Sequence, residues 1–304
     1  MSWIPEEPTA ADAQRTADPM AVRFDEVTQD GRLILEGIPN ALTAVWRKLG
    51  IDWGKELFRT GVVPIMSRAI IENGDGPTSA AAKIEAEGIY HFWHTTAPDG
   101  AVDRILLGMW SRVHAPIGRT YGPPPPDAGK SVLAGRVFCE HVFTRPLGPP
   151  GDRRVTHLDR KGSPWIPPEK RTWRPAETAL DLPEGAAALD PEMALDPTII
   201  AFGIDHTDSN QHVNSLVYTR LFMEAALRRL AVHGRHRALL ARSAEIAYRK
   251  PFFAGERARV AARAFTLGDR AGVAAVLLDE REAASPLKLE KARPRAFARL
   301  ILSD

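Results

Sequence analysis

The densest run of reactive side chains is Asp205-His-Thr-Asp-Ser-Asn-Gln-His-Val-Asn-Ser-Leu-Val-Tyr218, in which Asp208, Asn210 and His212 alternate and Asn214 follows. A carboxylate can serve as general base or nucleophile, and an imidazole can orient or pass a proton. A carboxamide can donate a hydrogen bond or hold a water. The apolar spacing of Leu216, Val217, Leu221, Phe222, Ala225 and Leu230 predicts a helix over 214–230. The polar run therefore stands at a helix N-terminus. Unpaired N–H groups and the positive dipole end there polarise a carbonyl oxygen and stabilise an oxyanion. Val213, Asn214 and Ser215 are the candidate donors. Capping alone would occupy one or two of these side chains and leave the rest without a purpose. The parts together suit acyl transfer to water.

The elements that must hold this segment repeat along the chain. In the first half, 22–27 and 32–35 are expected as strands around an Asp30-Gly31 turn, followed by Pro39 in a first helical turn. Ala41, Leu42, Val45, Trp46 and Leu49 recur at helical spacing, and strands are expected over 62–71, 82–94, 104–114 and 132–143. The second half predicts a strand over 198–202, the helix over 214–230, and strands over 244–248, 257–267, 272–279 and 295–302. One long helix against several antiparallel strands, twice over, is an α+β arrangement. Residues 1–20 are expected as a loosely held arm, 21–145 as the first half, 146–197 as a proline-rich linker and 198–304 as the second half. The linker is expected to be irregular, with Trp165 and Trp173 covering a sheet face.

The 304-residue chain has 40 basic and 38 acidic residues, a formal net charge of +2. Nucleic acid needs a clustered positive excess, so it is not an expected partner. The single cysteine, Cys139, leaves no intrachain disulfide and no zinc finger. No apolar run of about 18 residues marks a membrane span, and no secretory signal is visible, so a soluble, cytoplasmic protein is expected. His91, His94, His114 and His141 alternate with apolar residues on expected strands without a metal-ligand setting, so no metal is expected.

Asp208-Ser-Asn-Gln-His-Val-Asn-Ser-Leu-Val-Tyr218 resembles the signature of hotdog-fold thioesterases, in which an Asp is followed by His-Val-Asn-Asn and a Tyr on the helix. The Asp-x-Asn-x-His form is most similar to the acyl-acyl-carrier-protein thioesterases, which are double-hotdog chains of this layout. Ala247-Tyr-Arg-Lys250 and Gly255 match the strand that follows the helix in that family, and the clear match covers about 198–260. The resemblance implies a double hotdog, thioester hydrolysis, and catalytic positions at Asp208, Asn210 and His212. It implies an acyl thioester of coenzyme A or acyl carrier protein as partner, no cofactor, and a monomer or homodimer. Arg249 and Lys250 are candidates for the phosphates of such a carrier, and Tyr218 for substrate contact. The sequence departs from the family where an acidic residue of the catalytic network follows the Tyr-Arg-Arg/Lys tripeptide, because Pro251 stands there. Either Asp208 supplies the carboxylate alone, or the activity is altered or lost. The helix start of the first half, Gly37-Ile-Pro-Asn40, has no matching cluster.

Two other functions fit parts of the pattern. Hotdog hydratases carry Asp-x-Asn-Pro-x-His, but here Gln211 replaces the Pro and the Asp-to-His spacing is shorter by one. A non-catalytic acyl-binding protein would account for Pro251. Glu224, on the same helix, is expected in a buried or pocket-lining place, Tyr248 in the core and Cys139 as an inert buried thiol.

Overall fold

The computed structural model describes residues 2–9, 14–58, 60–235, 239–283 and 292–303. The chain divides into two compact units, Met1–Arg174 and Pro175–Asp304. The stretch expected as a linker is thus shared, with 146–174 packed in the first unit and 175–197 in the second.

In the first unit, β1 (Arg15–Met20), β2 (Val63–Asn73), β3 (Ile84–Thr96), β4 (Val102–Pro116) and β5 (Ser131–Thr144) form antiparallel neighbours in the order β1-β3-β4-β5-β2. A 3-10 turn at Ile38–Ala41, with Pro39 inside it, leads into α1 (Leu42–Phe58). Val45 and Leu49 point into the sheet at 0% and 1% exposure. Helix and sheet meet closely at Gly88, where a Cβ would lie 2.4 Å from Val45 Cγ2. The other face carries Ile70, Ile89, Trp93, Leu106, Trp110 and Phe138, against which Trp3, Ile4 and Trp173 pack.

Three expectations need correction here. Residues 15–20 are not a loose arm but a strand registered along β3 from Arg15–Ile89 to Met20–Ile84. Pro5 is held too, since its carbonyl oxygen accepts from Trp110 Nε1 at 3.0 Å. The expected strands at 22–27 and 32–35 are instead a 3-10 turn at Phe24–Glu26 and a short loop closed by an isolated Val27–Leu33 bridge. Among the described residues neither segment joins a sheet beyond that one bridge. The linker hairpin β6 (Leu158–Arg160) and β7 (Ser163–Trp165) places Trp165 beside Trp53 of α1 and Phe92, on the opposite face from Trp173.

In the second unit, the short strands β8 (Ala187–Ala188), β9 (Ala194–Leu195) and β10 (Ile200–Ala201) precede α2 (Ser215–Val232). Then come β11 (Leu240–Tyr248), β12 (Arg257–Leu267), β13 (Arg270–Asp279) and β14 (Ala296–Ser303). The main order is β11-β14-β13-β12-β10, and β8 and β9 also pair with β12. Alanines at 262, 264, 275 and 298 are essentially buried on the face opposite the Ala179, Ala261, Val276 and Phe297 cluster, so α2 can sit close to β12 and β13. Phe222, at 0% exposure, contributes about 2–3 kcal/mol by leaving water. Gly234, at φ +72°, ends the helix.

Two ion pairs tie the 175–197 segment to α2. Asp190 is bonded by Arg229 and by His233 Nε2 at 2.8 Å, and Asp196 by Arg228 Nε at 2.9 Å. Burial pushes the Asp190 carboxyl up, but Arg229, the Ala264 N–H and His233 overcome it and hold it at about 2.

Candidate functional site

Asp208 to His212 form the tip of a tight hairpin between a 3-10 turn at Ile204–His206 and α2. The Thr207–Val213 bridge and the Asp208 N–H bond to His212 O, at 3.2 Å, close it. Gln211 N–H donates to Asp208 O at 2.9 Å, and Gln211 takes φ +64° at the tip. Asp208 and His212 thus stand opposite each other across the hairpin, joined through the backbone.

The Asp208 carboxylate is oriented at both oxygens. Oδ1 accepts from Asn210 N–H at 2.8 Å, and Oδ2 accepts from Asn214 Nδ2 at 3.2 Å. Each carboxylate oxygen has two lone-pair sites, so capacity remains for the proton of a water. Asn210 is exposed at the tip, and His212 is half-buried. The candidate catalytic residues are thus on one short loop, with Asp208 fixed by its neighbours.

The expected oxyanion donors need correction. Val213 N–H donates to Phe252 O at 2.8 Å, outside the hairpin, and Asn214 N–H donates to His206 O at 2.9 Å, across its base. Leu216 N–H is taken by the Asn214 side-chain cap at 2.9 Å, and Val217 N–H by Asn214 O at 3.1 Å. Among the described residues only the Ser215 N–H of this turn has no acceptor.

The expected substrate-binding residues are placed differently from one another. Tyr218 is 2% exposed and its hydroxyl accepts the Phe252 N–H at 3.0 Å, so it anchors the loop rather than facing a ligand. Burial pushes its phenol up to about 12. Arg249 pairs with Glu177 and lies 4.8 Å over the Phe297 ring, whereas Lys250 is exposed. Tyr248 packs edge-on against Tyr218 and donates to Ser215 O at 3.3 Å. Glu224, expected to be buried, is on the surface, 4.0 Å from Arg228.

Pro251 sits over an ionic network that local sequence did not reveal. Arg295 donates to Pro251 O at 3.0 Å, bonds both oxygens of Glu256, bonds Asp279 at 2.7 Å, and stacks 4.1 Å over Phe252. Arg281 first, with Arg295, holds the Asp279 carboxyl at about 2. Pro251 and Phe252 therefore form a rigid shelf whose carbonyl at Phe252 holds Val213. The only hint in the sequence was Glu256 directly after the Gly255 turn.

Elsewhere the histidines have separate surroundings. His91 Nε2 is 2.9 Å from Glu169, and His94 Nδ1 is 2.8 Å from Pro167 O. His141 is pushed down to about 3 by burial, and the buried Cys139 up to about 12. Among the described residues no cluster of three or more His, Cys, Asp or Glu side chains could hold a metal ion. Among the described residues no helix is long and apolar enough to cross a membrane.

Neither a family model nor a curated protein sequence matches the chain. Solved structures do. A provisionally named oleoyl thioesterase from Lactobacillus plantarum matches with a TM-score of 0.60 at 11% identity, covering 96% of each chain. An acyl-ACP thioesterase from Bacteroides thetaiotaomicron matches with a TM-score of 0.54 at 13% identity, over 95% of this chain and 98% of that one. The 12:0-ACP thioesterase from Umbellularia californica matches with a TM-score of 0.52 at 14% identity, over 95% and 96%. The likeness to these hotdog-type thioesterase structures stands at the level of fold.

Proposed function

We propose that this chain is a double hotdog that hydrolyses acyl thioesters of coenzyme A or acyl carrier protein, with its reaction centre on the 207–215 segment. The observation that carries this is the Asp208 carboxylate, held by Asn210 N–H and Asn214 Nδ2 opposite His212 at the start of α2. The fold shared with the three thioesterase structures supports it.

In this reading Asp208 accepts a proton from water as the water oxygen attacks the thioester carbonyl. The oxygen that becomes negative lies at the N-terminus of α2, where the Ser215 N–H and the helix dipole stabilise it. The C–S bond then breaks, the acyl group leaves as the acid, and the thiolate takes a proton through His212. Asn210 holds the tip of the loop and its side chain positions the water. A thiolate is a good leaving group, so one carboxylate is sufficient and Pro251 is no obstacle. Lys250, exposed on the strand end, meets the carrier phosphate, while Arg249 is committed to Glu177 and Phe297.

Incubation with straight-chain and aromatic acyl-CoA and acyl-carrier-protein esters, following free thiol, tests the proposal. Thiol release that depends on Asp208 is expected. Hydration of a crotonyl thioester without thiol release would replace this reading with a hydratase.

A further inference from the structure

The side chain of Asn214 faces two ways. Its Oδ1 accepts the Leu216 N–H at 2.9 Å and so caps α2, while its Nδ2 donates to Asp208 Oδ2 at 3.2 Å. Its own N–H is spent on His206 O at 2.9 Å, which fixes the backbone from which both side-chain bonds are made. A helix cap needs only an acceptor, and Ser, Thr or Asp meets that need as well as Asn. None of these, at neutral pH, offers an amide donor in the direction of Asp208. The donor half of the carboxamide therefore has no part in capping.

We infer that Asn214 is a positioning residue for the proposed hydrolysis, transferring the rigidity of the α2 N-terminus to the Asp208 carboxylate. This rests on the reading of Asp208 as the base. With the Asn210 N–H alone, a swing of the carboxylate plane about χ2 strains a single hydrogen bond. The second restraint, on the other oxygen, fixes that plane. A misplacement of about 1 Å in a reacting group costs on the order of 10²-fold in rate, so the restraint has a measurable kinetic value.

Cap-preserving substitutions separate the two functions. In Asn214→Ser the hydroxyl still caps Leu216 N–H, so the melting temperature should stay within about 2 °C of wild type. With the donor to Asp208 gone, kcat on the best acyl-CoA substrate should fall about 10- to 100-fold with KM unchanged. Asn214→Asp keeps an acceptor but sets a carboxylate against Asp208, and its kcat should fall at least as far. In an Asp208→Asn background, Asn214→Ser should cause no further loss of rate. A serine variant with wild-type kcat overturns the inference. So does a kcat loss that tracks the loss of melting temperature, or that appears undiminished in the Asp208→Asn background. If Asp208→Asn itself is as active as wild type, the failure lies with the reading of Asp208 and not with Asn214.

Discussion

The loops 27–33 and 207–213 have one backbone and two sets of side chains. Thr28 N–H bonds Arg32 O at 2.7 Å as Asp208 N–H bonds His212 O, and Gly31 N–H bonds Thr28 O at 2.9 Å as Gln211 N–H bonds Asp208 O. The Val27–Leu33 bridge answers Thr207–Val213, and each loop follows a 3-10 turn. In the first loop the polar groups satisfy one another. Thr28 Oγ1 bonds Asp30, accepts Arg32 N–H at 3.0 Å, and Arg32 Nη1 pairs with Asp30 at 3.0 Å. In the second loop Asp208 replaces Thr28, Asn210 replaces Asp30 and His212 replaces Arg32, and the chain enters its helix at once instead of after a further 3-10 turn. The same turn thus either closes on itself or presents an oriented carboxylate at a helix start.

The sharpest break of that comparison is Asp208→Asn against Thr28→Ala. Removing the proposed base should lower kcat by at least about 10²-fold, while the threonine change should leave kcat at wild type and cost about 1 kcal/mol of stability. Steady-state thiol release and chemical denaturation on the two variants decide it. Equal kcat losses would erase the distinction between the loops.

The backbone of the tip gives the next largest effect. Gly31 has φ +83°, and a Cβ there would lie 2.5 Å from Pro77 Cβ, whereas Gln211 carries a side chain at φ +64°. Gly31→Gln should cost about 2–3 kcal/mol from left-handed strain and collision, and Gln211→Gly should be neutral or stabilise by up to about 1 kcal/mol. Urea midpoints measured on both variants check the asymmetry.

The strands β3, β4, β5, β12 and β13 and the helix α2 were legible in sequence because their apolar periodicity reflects burial along the whole element. The 22–27 segment is also expected as a strand, but a strand exists only where a partner edge is present, and that information is non-local. For the same reason the Trp110–Pro5 bond and the β1–β3 register could not be read from the first 20 residues. At the site, residue types identified the loop. They could not show that the Val213 N–H is spent on Phe252 O and the Asn214 N–H on His206 O, nor that the Tyr218 hydroxyl and the Arg295 network hold the shelf beneath the loop.

The two helices are fastened by different chemistry, and pH separates them. On α1, Asp52 accepts from Tyr90 OH at 2.6 Å and Lys48 Nζ at 3.0 Å. On α2, Arg229 and His233 grip Asp190, whose carboxyl is held at about 2 against an ordinary 3.8. A carboxyl depressed in the folded state adds stability that is fully present above its unfolded pKa and is lost as pH falls through the folded one. Asp190→Asn should therefore cost the second unit about 2 kcal/mol at pH 7, with the difference from wild type shrinking between about pH 4 and pH 2. Melting curves across that range check the sign, and a constant difference would refute it.

The smallest effect contrasts the anchors behind the two loops. Leu33 O accepts from Asn73 Nδ2 in the first unit, while in the second Val213 N–H reaches Phe252 O and Phe252 N–H reaches the Tyr218 hydroxyl. Tyr218→Phe keeps the ring against Tyr248 and removes only the acceptor, leaving a buried N–H unpaired at a cost of about 1–2 kcal/mol. Asn73→Ala removes the donor to Leu33 and should cost a similar amount. Their kinetic consequences should differ. Phe252 carries the Val213 bond, one step from the Asp208–His212 pair, so Tyr218→Phe should lower kcat several-fold as the hairpin loosens. Asn73→Ala holds a loop without a base and should leave kcat unchanged. The Tyr218 phenol, pushed up to about 12, stays protonated throughout the working range, so the Tyr218→Phe deficit should be independent of pH between 6 and 9. A deficit that grows with pH in that window would mean the phenol titrates in the reaction, and Tyr218 would then belong to the chemistry rather than to the anchor.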